Sequence, residues 1–217
     1  MIGGIQPCSF IDFPGHLAAV VFVQGCDLSC KYCHNPELIP RRQGKPLEYL
    51  WSFLESRVGL LTGVVVSGGE PTLQPDLLSL VQGIRDRGFA VKLDTNGMHP
   101  EVALSLVKYL DYVAVDVKLD PKSTRHLCGS SFHGSLPLET LRGLVLSKTT
   151  PCEARTTVVE GYHSESVLTS ILESLREVGV TRWFLQLCTG KYQPPTQDLL
   201  NRVAERATSL GVLTSCR

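Results

Sequence analysis

The 217-residue chain has no surplus of charge: Lys plus Arg and Asp plus Glu each number 21, so the formal net charge is zero. That balance excludes the broad basic field with which a protein holds nucleic acid mainly through phosphates. No apolar run approaches the roughly 20 residues that a membrane-spanning helix requires. The opening, Met1-Ile2-Gly3-Gly4-Ile5-Gln6-Pro7, lacks a charged flank ahead of an apolar core, so no secretory signal is read there. Internal repeats, low-complexity tracts and linkers are missing as well. These absences lead to the expectation of a cytoplasmic protein with no nucleic-acid and no membrane partner. Length favours one domain spanning residues 1–217.

Hydrophobic residues make up 43% and charged residues 19%, enough for an ordinary packed core without covalent staples. The 8 cysteines therefore need another reason. Three of them, Cys26, Cys30 and Cys33, fall within eight residues, and Cys8, Cys128, Cys152, Cys188 and Cys216 are scattered. Clustered thiolates in a reducing compartment point to metal binding rather than disulfides. The scattered five are expected to be buried thiols, with Cys128, next to Gly129 in a loop, the more exposed of them.

Apolar, β-branched runs alternate with helical patterns. Strands are predicted at Leu17–Val23, Gly63–Ser67, Ala90–Asp94, Tyr112–Asp116, Ala154–Val159 and Trp183–Leu187. Helices are predicted from Pro46 to Ser56, from a cap at Asp76 through Arg87, over Glu101–Lys108 and over Leu138–Ser147. Two more run from Ser164 to Gly179 and from Thr196 to Gly211. Several strands are apolar on both faces, as strands covered by helices should be. The order implies an α/β fold with parallel strands: a partial, open (β/α)6 barrel, with a doubly wound sheet reading almost identically. The stretch Pro121–Pro137, rich in Ser, Gly and His, is the expected mobile loop.

Functional residues of such folds gather where strands end. The loop after the first predicted strand holds Cys26-Asp27-Leu28-Ser29-Cys30-Lys31-Tyr32-Cys33-His34-Asn35. After the next three come Ser67-Gly68-Gly69-Glu70-Pro71, Asp94-Thr95-Asn96-Gly97 and Asp116-Val117-Lys118. Thiolates spaced C-x3-C-x2-C suit three corners of an iron–sulfur cubane and leave the fourth iron open. A structural zinc site completed by His34 is the other reading, but zinc ligands usually come as two separated pairs. A glycine pair before Glu-Pro can equally be a plain turn, and Asp94 can be an Asx turn leading into Asn96-Gly97.

The cysteine spacing followed by Gly68-Gly69-Glu70-Pro71 resembles the radical S-adenosylmethionine superfamily. Cys33-His34-Asn35-Pro36 and the run from Ser67 to Gly97 narrow the resemblance to activating enzymes of glycyl-radical enzymes. Ile11-Asp12-Phe13-Pro14-Gly15-His16 and Phe22-Val23-Gln24-Gly25-Cys26 are similar to the group that activates anaerobic ribonucleoside-triphosphate reductase. The resemblance covers roughly residues 1–190 and is densest up to Lys118.

It implies one [4Fe–4S] cluster on Cys26, Cys30 and Cys33, with S-adenosyl-L-methionine on the open iron. One-electron cleavage of the sulfonium would then yield a 5′-deoxyadenosyl radical, which takes a hydrogen from a glycine of the partner enzyme. It further implies Tyr32 beside the adenine, and Gly68 and Gly69 allowing close approach of the cofactor's methionine part. Glu70 would stand where the amino group is received. Asp94, Thr95 and Asp116 would surround a monovalent cation, and Lys118 would face the cofactor or the partner's glycine loop. Arg155 would point at the cofactor. Gln186 stands where pyruvate formate-lyase activases carry a histidine near the adenosine. Asp12 is assigned only to shaping the rim. A flavodoxin- or ferredoxin-type electron donor and an anaerobic setting are implied. No cysteine lies between Cys33 and Gly68, so no additional cluster is expected. Two other classes stay open: a radical enzyme acting on a small molecule, and a non-enzymatic iron–sulfur or zinc protein.

Overall fold

The computed structural model describes residues 2–120, 127–188, 192–193 and 195–216. The chain divides into two compact units. One comprises Met1–Asp27, Asn35–Thr95 and Ser105–Val113, and the other Leu28–His34, Asn96–Leu104 and Ala114–Arg217.

The first unit contains β1 (Ile2–Ser9), β2 (Ala18–Val23), α1 (Leu47–Glu55), β3 (Gly63–Gly68), α2 (Leu77–Arg85) and β4 (Ala90–Thr95). Strands β2, β3 and β4 are parallel, with Val20 opposite Val65 and Val65 opposite Lys92. Their C-terminal ends therefore share one edge, which carries Cys26, Glu70 and Thr95. Beneath it, Phe13, Ala18, Val20, Val65 and Tyr112 form a buried cluster. Helix α2 covers the sheet with Leu77, Leu80, Val81 and Ile84, at the i, i+3, i+4, i+7 spacing of one apolar face.

Strand β1 is an addition to the predicted elements. It runs antiparallel to β2, with Ile2 opposite Val23 and Ser9 opposite Ala18. Its two glycines and Pro7 hide it from a propensity reading, and a strand paired on one side tolerates the missing proline N–H. This pairing puts Ser9 and the following Asp12 at the N-terminal end of β2, away from Cys26. Asp12 therefore does not shape the rim. Its carbonyl accepts a hydrogen bond from Lys92 Nζ at 2.7 Å.

The second unit contains α4 (Ser135–Ser147), β6 (Cys152–Val158), α5 (Glu165–Val178), β7 (Arg182–Leu187), α6 (Gln197–Ser209) and β8 (Leu213–Cys216). The unit boundary falls inside α3 (Pro100–Ser105) and inside β5 (Tyr112–Asp116). Strands β6, β7 and β8 are parallel. Helix α5 buries Leu168, Ile171, Leu172 and Leu175 along one stripe. Its ends follow local chemistry: the Ser164 hydroxyl accepts from Val167 N–H, and Gly179 takes φ 89° at the stop. Thr196 caps α6 in the same way through Leu199 N–H.

The parallel α/β class and all six predicted strands and helices are present, with ends shifted by a few residues. Pro46 precedes α1 as its cap instead of opening it, and Asp76 precedes α2 without a side-chain cap bond. The expected loop Pro121–Pro137 is shorter than read, since α4 already begins at Ser135. Its residues 121–126 lie outside the described residues. Among the described residues no helix is long and apolar enough to cross a membrane.

Candidate functional site

In the first unit, backbone hydrogen bonds tie the start of the cysteine loop on two sides. Gly25 N–H donates to Leu38 O at 2.8 Å and Cys26 N–H to Ile39 O at 3.0 Å. On the other side, Gly69 N–H donates to Val23 O at 2.9 Å and Glu70 N–H to Gly25 O at 2.8 Å. The Gly-Gly-Glu segment thus continues the β2–β3 pairing past the strand ends. That closeness leaves no room for a Cβ at either glycine. A Cβ on Gly69 would lie 2.2 Å from Gly25 O, and one on Gly68, whose φ is +119°, 2.2 Å from Val23 N. The close approach these glycines permit is to the chain's own backbone, a reason the sequence reading had given to the cofactor.

Glu70 is 1% exposed. Its Oε1 accepts from Thr72 N–H at 3.0 Å, Thr72 Oγ1–H at 2.6 Å and Thr95 Oγ1–H at 2.7 Å. The carboxylate therefore braces the loop after β3 against the end of β4. Asp94 meets the buried Lys92 ammonium at 2.7 Å, from two residues earlier on the same strand face. An internal cation already serves this carboxylate.

In the second unit, Asp116 accepts from Lys118 Nζ and from Arg155 Nε, each at 3.0 Å. Burial works against the Asp116 charge, but Lys118 and Arg155 outweigh it and hold the carboxyl pKa at about 2. Burial likewise opposes the Lys118 charge, and Asp116 more than offsets it, keeping the ammonium well above the usual lysine range. One anion between two cations leaves the trio with a net positive charge, suited to receive an anionic group. The Asp116 pKa is depressed from 3.8 to about 2, so its stabilisation is present in full above about pH 4 and is lost as pH falls through 2. Asp116→Asn is expected to cost about 1–2 kcal/mol at neutral pH, discounted for partial exposure. In urea unfolding, the gap to the native protein should close as pH falls from about 4 toward 2.

The backbone carrying this trio is pinned from three directions. Val117 N–H donates to Arg155 O at 2.8 Å, Thr156 Oγ1–H donates to Val117 O at 2.7 Å, and His163 Nε2–H donates to Lys118 O at 2.8 Å. His163 Nδ1 accepts from Val159 N–H at 3.0 Å, so the ring is a neutral bridge. The sequence reading missed His163. Its only local signal is its position just ahead of the Ser164 cap. Burial pushes its pKa below 6.5, with the two backbone bonds opposing. The unfolded chain therefore binds more protons here as pH falls below about 6.5, and stability declines with it. Denaturant midpoints measured from about pH 7.5 to 5 should show this slope, and His163→Gln should flatten it.

Tyr32 is buried in this unit near Cys30, Cys128, Lys118 and Asp116, and burial raises its hydroxyl well above the usual tyrosine range. Arg155 and Gln186 share one half-buried face: Arg155 lies opposite Phe184, and Gln186 lies opposite Thr157 two residues further along.

All eight cysteines are free thiols. The scattered five are not uniformly buried, as had been expected. Cys8 and Cys216 are exposed, and Cys128, expected to be the more open one, is 0% exposed. Among the described residues, no three His, Cys, Asp or Glu side chains converge as a ready-made metal site. Cys26 in the first unit, and Cys30 and Cys33 in the second, are each half-buried free thiols, soft donors whose chemistry suits an iron–sulfur cluster.

Comparison with known proteins gives the family. A glycyl-radical enzyme activating enzyme of Methanocaldococcus jannaschii is 40% identical over 122 residues, 54% of this chain and 50% of that protein. The pyruvate formate-lyase-activating enzyme of Clostridium pasteurianum is 36% identical over 126 residues, 54% of this chain and 52% of that protein. The chain thus spans about half the length of the curated relatives it matches. Among solved structures, Streptococcus suis SuiB bound to S-adenosylmethionine superposes with a TM-score of 0.74 at 15% identity, covering 91% of this chain and 49% of that one. A domain of the pyruvate-formate lyase-activating enzyme from Bacteroides vulgatus has a TM-score of 0.63 at 19% identity, covering 72% of this chain and 99% of that one. These structural likenesses establish the fold. Residues 20–136, more than half of the chain, match the family described as the radical SAM superfamily, and to that superfamily this chain belongs.

Proposed function

We propose that the protein is an activase that generates a glycyl radical on a partner enzyme, anaerobic ribonucleoside-triphosphate reductase being the favoured partner. The observation that carries the reading is the C-x3-C-x2-C loop tied by backbone bonds to Gly68-Gly69-Glu70, in a chain of this superfamily. Cys26, Cys30 and Cys33 would hold a [4Fe–4S] cluster, and S-adenosyl-L-methionine would bind beside it. Bound together, these groups would supply one-electron reductive cleavage of the sulfonium and, from it, hydrogen abstraction from a glycine of the partner.

The protein's own residues supply position and charge. Glu70 holds the Gly68–Glu70 backbone in place through Thr72 and Thr95, so its polar groups meet the cofactor without rearrangement. The Asp116–Lys118–Arg155 trio offers net positive charge to the cofactor's carboxylate. Tyr32 excludes water beside Cys30, and Gln186 is placed to hydrogen-bond the adenosine. A monovalent cation at Asp94 would share that carboxylate with Lys92. A flavodoxin- or ferredoxin-type protein would deliver the electron.

The test is anaerobic loading with iron and sulfide, reduction, addition of S-adenosyl-L-methionine, and mass spectrometry for 5′-deoxyadenosine. The loaded protein should form it and should then give a candidate partner a glycyl radical detectable by spin resonance. Full cluster content without 5′-deoxyadenosine would overturn the radical reading. Cofactor cleavage without a radical on any glycyl-radical enzyme would move the target to another substrate.

A further inference from the structure

Cys128 has no place in the function just described, yet it lies against one of the proposed cluster ligands. Its thiol lies within interaction range of the Cys30 thiol in the second unit. The contact is built by backbone rather than by chance side-chain reach. Ser29 N–H donates to Cys128 O at 3.0 Å, and Lys31 N–H donates to Leu127 O at 3.0 Å, so the backbone on both sides of Cys30 is held to the 127–128 segment. Gly129, at φ +93°, completes the approach: a Cβ there would lie 2.3 Å from Ser29 Oγ. Backbone segments joined directly by N–H···O bonds lie within the few ångströms that their side chains can span. A disulfide spans Cα separations of roughly 4.4–6.8 Å. Cys128 is 0% exposed, whereas Cys30 is partly open to solvent.

We infer that Cys30 and Cys128 form a disulfide when the cluster-free protein meets a small disulfide oxidant, and that this bond locks Cys30 away from iron until a dithiol releases it. With glutathione disulfide as oxidant, the partly exposed Cys30 sulfur forms a mixed disulfide and expels one glutathione. Cys128 sulfur then attacks the Cys30 sulfur and expels the second. The protein loses two electrons and two protons, and these appear as two molecules of glutathione. The cross-link is a property of the two thiols alone. Only the lock rests on the reading of Cys30 as a cluster ligand.

The experiment treats the cluster-free chain with glutathione disulfide, digests it with trypsin without reduction, and maps the peptides by mass spectrometry. Tryptic peptide 1–31, which contains Cys8, Cys26 and Cys30, should be joined to peptide 126–142, which contains Cys128. The joined species should vanish in Cys30→Ser and persist in Cys8→Ser and Cys26→Ser. Its absence from the native protein, or its survival in Cys30→Ser, overturns the inference. Oxidised native protein should then take up iron and sulfide only after dithiothreitol, whereas oxidised Cys128→Ala should carry glutathione on Cys30 in place of the cross-link. Loading of the oxidised native protein without dithiol overturns the lock. Failure of even the reduced native protein to load sinks the cluster reading and leaves the cross-link result standing.

Discussion

Replacing Cys30 with alanine is expected to reduce iron and sulfide uptake to background and to abolish 5′-deoxyadenosine formation. The donor set is three thiols on one loop, and among the described residues no other group of three metal-binding side chains stands in reserve. A cubane held by three protein sulfurs has no spare ligand on the protein side, so losing one opens a second iron to solvent. Substituting an outer partner of a metal ligand typically costs 10–100-fold, and a ligand itself should cost more than about 100-fold. Cys26→Ala and Cys33→Ala should match Cys30→Ala. Cys152→Ala and Cys188→Ala, outside the loop, should load normally. Elemental analysis of the loaded proteins separates the cluster from the zinc reading. Zinc in place of iron and sulfide in the native protein would return these cysteines to a structural role.

The cluster cysteines were legible in the sequence because their signal is local: soft ligands at short spacing on a loop after an apolar strand. The helix ends at Ser164, Gly179 and Thr196 were legible for the same reason, since a cap depends on the next three residues. What was not legible depends on contacts between distant residues. Cys128 read as the more exposed of the scattered thiols, and only the backbone bonds from Ser29 to Cys128 and from Lys31 to Leu127 bring it, fully buried, to the cysteine loop. His163 and Lys118 are 45 residues apart in sequence, so nothing local announces their bond. Nothing local marks Lys92 as a core residue, yet it is 1% exposed and bonded to Asp94 and to the carbonyl of Asp12, 80 residues earlier. The three residues proposed from resemblance to surround a cation are, in the structure, each engaged by a protein partner: Asp94 by Lys92, Thr95 by Glu70, and Asp116 by Lys118 and Arg155. Residue types and strand ends were predictable, but the pairing among them required the fold.

Gly69→Ala separates a glycine kept for the cofactor from a glycine kept for the fold. If the missing side chain served only to admit the cofactor, the variant would fold with native stability and lose affinity alone. The structure predicts otherwise. The added Cβ would sit 2.2 Å from Gly25 O, 2.7 Å from Gly25 C and 3.0 Å from Leu38 O, and all three are backbone atoms that no rotamer change can clear. The loop after β3 must then move off the cysteine loop. That breaks the Glu70 N–H to Gly25 O bond and pulls the Glu70 carboxylate away from Thr95. An overpacked backbone contact together with a disturbed buried carboxylate should cost about 3–5 kcal/mol. For a domain of this size that lowers the thermal midpoint by roughly 10 °C. Gly4→Ala is the control from the same unit, since a Cβ there meets nothing within 4 Å. It should stay within about 0.5 kcal/mol of the native protein. Thermal unfolding of the cluster-free proteins decides the matter, because no cofactor is present to contribute. A Gly69→Ala midpoint equal to that of Gly4→Ala would return the glycine pair to the cofactor, and a large drop would assign it to holding the Gly-Gly-Glu segment against the cysteine loop.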